Sequence, residues 1–123
     1  MEAQAFLEIL KTRRSVRKYS SRQVDEATLS AILEAGTFAA TGRNKQSPVI
    51  IAVQDAAERE TLRRMNAAVM GTEGDPFYGA PTVVIVLADR SVHTCVEDGS
   101  LVIGNMMNAA HALGVDSCWI HRA

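Results

Sequence analysis

Only two cysteines, Cys95 and Cys118, occur in the chain, and no Cys-x-x-Cys spacing is present, so a disulfide framework is excluded. They read as reduced thiols of an intracellular protein. The N-terminus has no apolar signal core and no run reaches transmembrane length, which predicts a soluble cytoplasmic protein without a membrane partner. Charge of one sign is missing too: 13 basic residues stand against 14 acidic ones, so general attraction to polyanions or membranes does not follow. Aromatics make up 5% of the chain and none interleave with the basic residues, which counts against a nucleic-acid surface built on stacking. There is no internal repeat or low-complexity tract.

Several chemical signatures are absent as well. No Gly-x-Gly-x-x-Gly follows an apolar run, so a dinucleotide bound in the Rossmann manner has no support. Gly99 and Gly104 have P-loop spacing, but Asn105-Met106 stands where Lys-Ser/Thr would grip phosphate and magnesium. His93, His111 and His121 have no ligand spacing with each other or with the cysteines, and no metal site is expected. The hydroxyls, histidines and acids offer no triad, so no catalytic side chain is expected either.

What is present is one long apolar segment. From Glu97 to Leu113, Leu101, Val102, Ile103, Met106, Met107, Ala109, Ala110 and Leu113 cover most of a helical circumference, predicting a helix buried on several sides. At about 1.5 Å per residue it spans roughly 25 Å. Gly104 admits a close backbone, and Asn105 and Asn108 need hydrogen-bond partners if buried. A second helix, from this chain or another copy, would supply both.

Around this spine the 123 residues suit one domain, 1–123. Glu2 to Lys11 reads as a short amphipathic helix, and Thr12 to Tyr19 as an extended basic segment. Asp25 caps a helix that Gly36 weakens or ends. Val49 to Val53 is a buried strand, and Asp55 with Glu58 opens the next helix. A Gly/Pro-rich loop, Gly71 to Pro81, leads to a second strand at Thr82 to Leu87. Gly114 stops the spine, and Val115 to Ile120 reads as a third strand. Helices alternating with apolar strands predict an α/β or α+β layered domain.

Two segments carry candidate chemistry. Arg13, Arg14, Ser15 and Arg17 gather guanidinium and hydroxyl donors suited to a phosphate or an anionic ring edge. Read alone, they suit a solvated basic turn equally well. Thr41 to Pro48 places amides and cations just before a strand, where ligand contacts concentrate, and amides suit a heterocycle edge. A plain polar turn fits that loop too.

Taken together, Arg13-Arg14-Ser15-Val16-Arg17-Lys18-Tyr19, Asn44-Lys45-Gln46, Asp98-Gly99-Ser100 and Gly114-Val115-Asp116-Ser117-Cys118-Trp119-Ile120 resemble the nitroreductase family of FMN-dependent oxidoreductases. The resemblance implies an α+β, three-layer α/β/α sandwich with a central sheet and a long buried helix at a homodimer interface. FMN would lie at that interface, with NAD(P)H as reductant and a nitroaromatic or quinone as acceptor, in a ping-pong sequence. Position by position, Arg13, Ser15 and Arg17 would hold the phosphate and pyrimidine edge, with Arg14 assisting. Asn44 and Gln46 would meet the ring's polar side, and Trp119, Ile120, His121 and Arg122 would pass its face. Cations at the pyrimidine end favour hydride acceptance. Ser47-Pro48 replaces the Pro-Trp found in many relatives, and His121-Arg122 an acidic residue and a glycine. Family members continue further, with another strand and a basic residue near the phosphate. The expectation is therefore a fragment with weak flavin retention; a flavin-storing protein without turnover is the alternative.

Overall fold

Helix starts in this chain are set by short-range chemistry. The computed structural model describes residues 2–122 and contains α1 (Ala3–Thr12), α2 (Glu26–Thr37), a 3-10 turn (Gly42–Asn44), β1 (Val49–Val53), α3 (Ala56–Met70), β2 (Val83–Leu87) and α4 (Cys95–Ala112). Asp25 accepts from the Thr28 amide and Asp55 from the Glu58 amide, each satisfying a free N–H of a first turn. At the far end of α4, Gly114 takes φ +77°, a left-handed geometry that stops the helix without a Cβ clash. The α+β expectation holds.

β1 and β2 pair antiparallel from Val49↔Leu87 to Val53↔Val83. Ile50, Val84 and Val86 turn inward onto the core formed by Ile32 of α2 and Val102, Met106 and Ala110 of α4. The opposite sheet face leaves Val49, Ile51 and Leu87 exposed.

Three expectations are corrected or refined. The strand expected at Val115 to Ile120 is absent: the segment makes one parallel bridge, Ser15↔Ser117, with the Val16 amide donating to the Ser117 carbonyl at 3.1 Å. His121 then takes φ +50°, which turns the chain out of any extended run. Gly36 lies inside α2, which ends one residue later at Thr37; a Cβ there would lie 2.8 Å from Met106 Cγ, so the glycine lets α2 press against α4. The spine begins at Cys95 and ends at Ala112, with Leu113 as its cap rather than its last residue.

Within this chain α4 is buried along one stripe, Asp98, Gly99, Val102, Met106 and Ala110. The turn-by-turn opposite face carries Glu97, Leu101, Gly104, Asn108 and Ala112, while Asn105 lies on the flank toward α2, its Nδ2 donating to the Ala35 carbonyl at 3.1 Å. Leu101 is 51% exposed and a Cβ on Gly104 would meet only open space. The all-round burial expected of the spine is therefore incomplete in a single chain.

Candidate functional site

The basic segment leaves α1 at its C-terminal end, where carbonyls need partners. Arg14 supplies them: its Nη1 donates to the carbonyls of Lys11 at 2.7 Å and Arg13 at 2.8 Å. The neighbouring Arg13 is arranged oppositely. Its Nη1 is buried and has no hydrogen-bond partner. A buried cationic donor without an acceptor is destabilising by roughly 1–3 kcal/mol or more, so its presence points to a group missing from the isolated chain. Ser15 sits on the bridge to Ser117, and Arg17 is exposed and forms no ion pair among the described residues. Two residues further on, burial pushes the Tyr19 phenol up to about 12, assisted by the acidic neighbourhood of Cys118 and Asp116. Its hydroxyl donates to the Val16 carbonyl, so the ring serves as an anchor for the segment.

Just before that segment, Thr12 ties it to the spine. The Thr12 hydroxyl donates to the Glu8 carbonyl at 2.6 Å and lies 2.8 Å from His111 Nε2. With its one proton committed, the hydroxyl accepts from the imidazole N–H. The basic segment is thus pinned at the C-terminal end of α4.

The 115–122 segment runs beside it. Trp119 is partly exposed and meets His121 edge to face, with ring centroids 5.2 Å apart. Ile120 is half-buried, whereas His121 is exposed. Arg122 is held by α3: its Nη1 donates to Asn66 Oδ1 at 3.1 Å, and Asn66 Nδ2 donates back to the Arg122 carbonyl at 2.9 Å. Asn66 carries no signal in the sequence, being one polar residue among several on α3.

The amide loop is strained. Arg43, Asn44 and Gln46 have φ of 55°, 53° and 52°, a left-handed region that costs about 1–2 kcal/mol for an L residue, less for asparagine. Local bonds hold the shape: the Gln46 amide donates to Thr41 Oγ1 at 3.0 Å, and Gln46 Nε2 donates to Asn44 Oδ1 at 2.9 Å. One bond ties the loop to the fold, from the Gly42 amide to Asp98 Oδ1 at 2.9 Å, in the first turns of α4. The sequence shows Asp98 as an acid near a helix start, and nothing in it marks a partner 56 residues upstream.

The structure therefore joins the Arg13–Arg17 segment to the 115–122 segment at Ser15 and Ser117, holds Arg122 against α3, and ties Asn44 and Gln46 into a separate loop. The two groups are pinned near Asp98 and near His111, 13 residues apart on one helix, about 20 Å at 1.5 Å per residue.

The chain matches the Nitroreductase family over residues 10–122, and it belongs to that family. Among solved structures it is similar to a nitroreductase with bound FMN from Bacteroides fragilis, with a TM-score of 0.88 and 34% identity, covering 94% of this chain and 68% of that one. An FMN-dependent nitroreductase from Clostridium difficile gives a TM-score of 0.85 and 30% identity, covering 95% and 60%. A curated Archaeoglobus fulgidus protein, provisionally named an NADH dehydrogenase/NAD(P)H nitroreductase, is 34% identical over 119 residues. This chain spans 66% of that relative and 59% of a Methanothermobacter thermautotrophicus protein of the same name. The fold is the nitroreductase fold.

Proposed function

We propose that the chain forms a single FMN-binding domain of a homodimeric oxidoreductase that passes hydride from NAD(P)H to an electron-poor small molecule, a nitroaromatic or quinone, by a ping-pong sequence. The observation that carries the reading is the buried, unpartnered Arg13 Nη1, beside an unpaired Arg17, in a family whose B. fragilis member holds FMN. A donor set of guanidinium and hydroxyl groups fits a phosphate and a polar ring edge. FMN bound there supplies the hydride acceptor and donor; the chain supplies binding and orientation.

In this arrangement Arg13, Ser15 and Arg17 face the phosphate and the pyrimidine edge. Arg14 stays on the α1 carbonyls and helps by fixing the backbone of its neighbour. Trp119 and Ile120 line the ring face, and Arg122, braced by Asn66, closes that edge with His121. No general acid or base is required of the protein.

The 20 Å separation favours a site shared between two copies. A two-fold axis across the face of Leu101, Gly104, Asn108 and Ala112 pairs two α4 helices antiparallel, which keeps the two Glu97 carboxylates at opposite ends of the seam. Each C-terminal end, with its arginines, then lies beside the partner's N-terminal end, with its amide loop. Asn44 and Gln46 of one subunit reach the flavin held by the arginines of the other. No helix among the described residues is long and apolar enough to cross a membrane, and Cys95 and Cys118 are unpaired, in keeping with a cytoplasmic enzyme.

FMN titration of the purified chain, followed by flavin fluorescence alongside light scattering on a sizing column, tests the proposal. Dimers that take up FMN support it. A monomer, or a protein that leaves flavin fluorescence unchanged, sinks it. NAD(P)H oxidation with and without a nitro compound, measured on the longer protein, separates an enzyme from a flavin store.

A further inference from the structure

We infer that Asp98 is a positioning residue: it locks the amide loop into the shape in which Asn44 and Gln46 meet the flavin, an inference that rests on the FMN reading above. Asp98 is 2% exposed and forms no ion pair among the described residues. An ionised carboxylate buried without a cation is unfavourable unless its oxygens are well bonded. Both are: Oδ1 accepts from the Gly42 amide and Oδ2 from the Thr94 hydroxyl, each at 2.9 Å.

The loop depends on this contact to an unusual degree. Among the described residues, the bonds made by 42–46 run within the loop or to Thr41, except the one from Gly42 to Asp98. That single tether connects a turn with three non-glycine residues in the left-handed region to the rigid start of α4. The fit at the tether is close as well, because a Cβ on Gly42 would overlap Thr94 Oγ1. Gly42, Thr94 and Asp98 thus form one interlock, with the carboxylate at its centre. Strained backbone of this kind persists only when its surroundings over-determine it.

The test combines a local probe of loop order with flavin binding. Arg43 and Lys45 are exposed, so trypsin cleavage after them reports opening of the loop. Asp98→Ala should speed cleavage at these two bonds by about tenfold or more and weaken FMN by a similar factor, the loss expected of one hydrogen bond to a charged group. Asp98→Asn keeps an acceptor for Gly42 and turns its amide toward Thr94 Oγ1, and should rescue both readouts. Gly42→Ala leaves the buried carboxylate in place, wedges the loop away from Thr94 and should reproduce the Asp98→Ala result, which keeps the test decisive if Asp98→Ala fails to fold. In an Asn44→Ala/Gln46→Ala background, Gly42→Ala should weaken FMN no further.

Unchanged cleavage after Arg43 and Lys45 in Gly42→Ala overturns the inference, as does an FMN loss that adds fully to that of the double variant. If the unaltered chain takes up no FMN, the flavin reading falls by itself, while the cleavage rates still decide whether the tether exists.

Discussion

Truncating Arg13 to alanine should separate flavin affinity from the stability of the free protein. In the free chain, Nη1 is buried without a partner, so removing it relieves a desolvation penalty of roughly 1–3 kcal/mol, offset by lost packing of the aliphatic stem. The net effect on the melting temperature should be within about 3 °C, since 1 kcal/mol is worth a few degrees in a domain of this size. If FMN binds as proposed, the same guanidinium would make charge-assisted bonds worth about 1.5–3 kcal/mol, so Arg13→Ala should weaken FMN by about 10- to 100-fold. Arg14 is the control, being of the same residue type and adjacent in sequence. Its guanidinium serves the Lys11 and Arg13 carbonyls, so Arg14→Ala should cost about 0.5–1.5 kcal/mol of stability and change FMN affinity less than about threefold, well under the tenfold that 1.4 kcal/mol represents. Fluorescence titration and differential scanning fluorimetry read both quantities. Equal FMN losses in the two variants would mean that diffuse positive charge does the binding, and undiminished affinity in Arg13→Ala would return the segment to a solvated basic turn.

Three further outcomes are expected. Gly36→Ala should destabilise by about 1–3 kcal/mol, visible in urea unfolding, because its Cβ would press on Met106 Cγ at 2.8 Å and Ile50 Cδ1 at 3.0 Å. Asp25→Ala should lower the urea midpoint in the same assay by freeing the Thr28 amide that opens α2. The Asp75 carboxyl, although burial opposes its charge, is held below the usual carboxylate range by Arg59 Nη2 at 2.7 Å and by the Phe77 and Gly79 amides. Its folded pKa is thus the lower one, so its stabilisation is present above the unfolded value and lost as pH falls through the folded one. Stability measured from about pH 5 to 8 should carry this contribution in full and show no pH dependence from it, and Asp75→Asn should flatten the decline below about pH 4.

The features legible in the sequence are those decided within a few residues. The caps at Asp25 and Asp55 need only an amide three positions on, and the β-branched runs at Val49–Val53 and Val83–Leu87 need only to be apolar and short. Features decided by distant neighbours were not legible. Val115 to Ile120 has strand composition, yet a strand requires a partner, and among the described residues it finds one at Ser15 alone. Gly36 looks like a helix stop until Met106 of α4 is brought against it. Arg13 and Arg14 are indistinguishable as letters, and only the end of α1 assigns one to its carbonyls and leaves the other free.

The two halves of the proposed site are also prepared differently, and this bears on how a dimer would assemble around a cofactor. The 42–46 turn takes its shape before any partner arrives: Gln46 bonds Asn44, Thr41 closes the turn, and Asp98 fixes it to α4, although Ser47 Oγ just beyond it is buried without a partner. Its strain is already met within one chain, so little ordering entropy remains to oppose association. The arginine segment is instead left short of an acceptor at Arg13 Nη1. In the proposed dimer, a pre-shaped turn on one copy would face an unsatisfied cationic segment on the other, with an anionic ligand completing the second. Under that arrangement ligand and dimer support each other by linkage, since whatever fills the Arg13 site adds contacts that only the paired form provides.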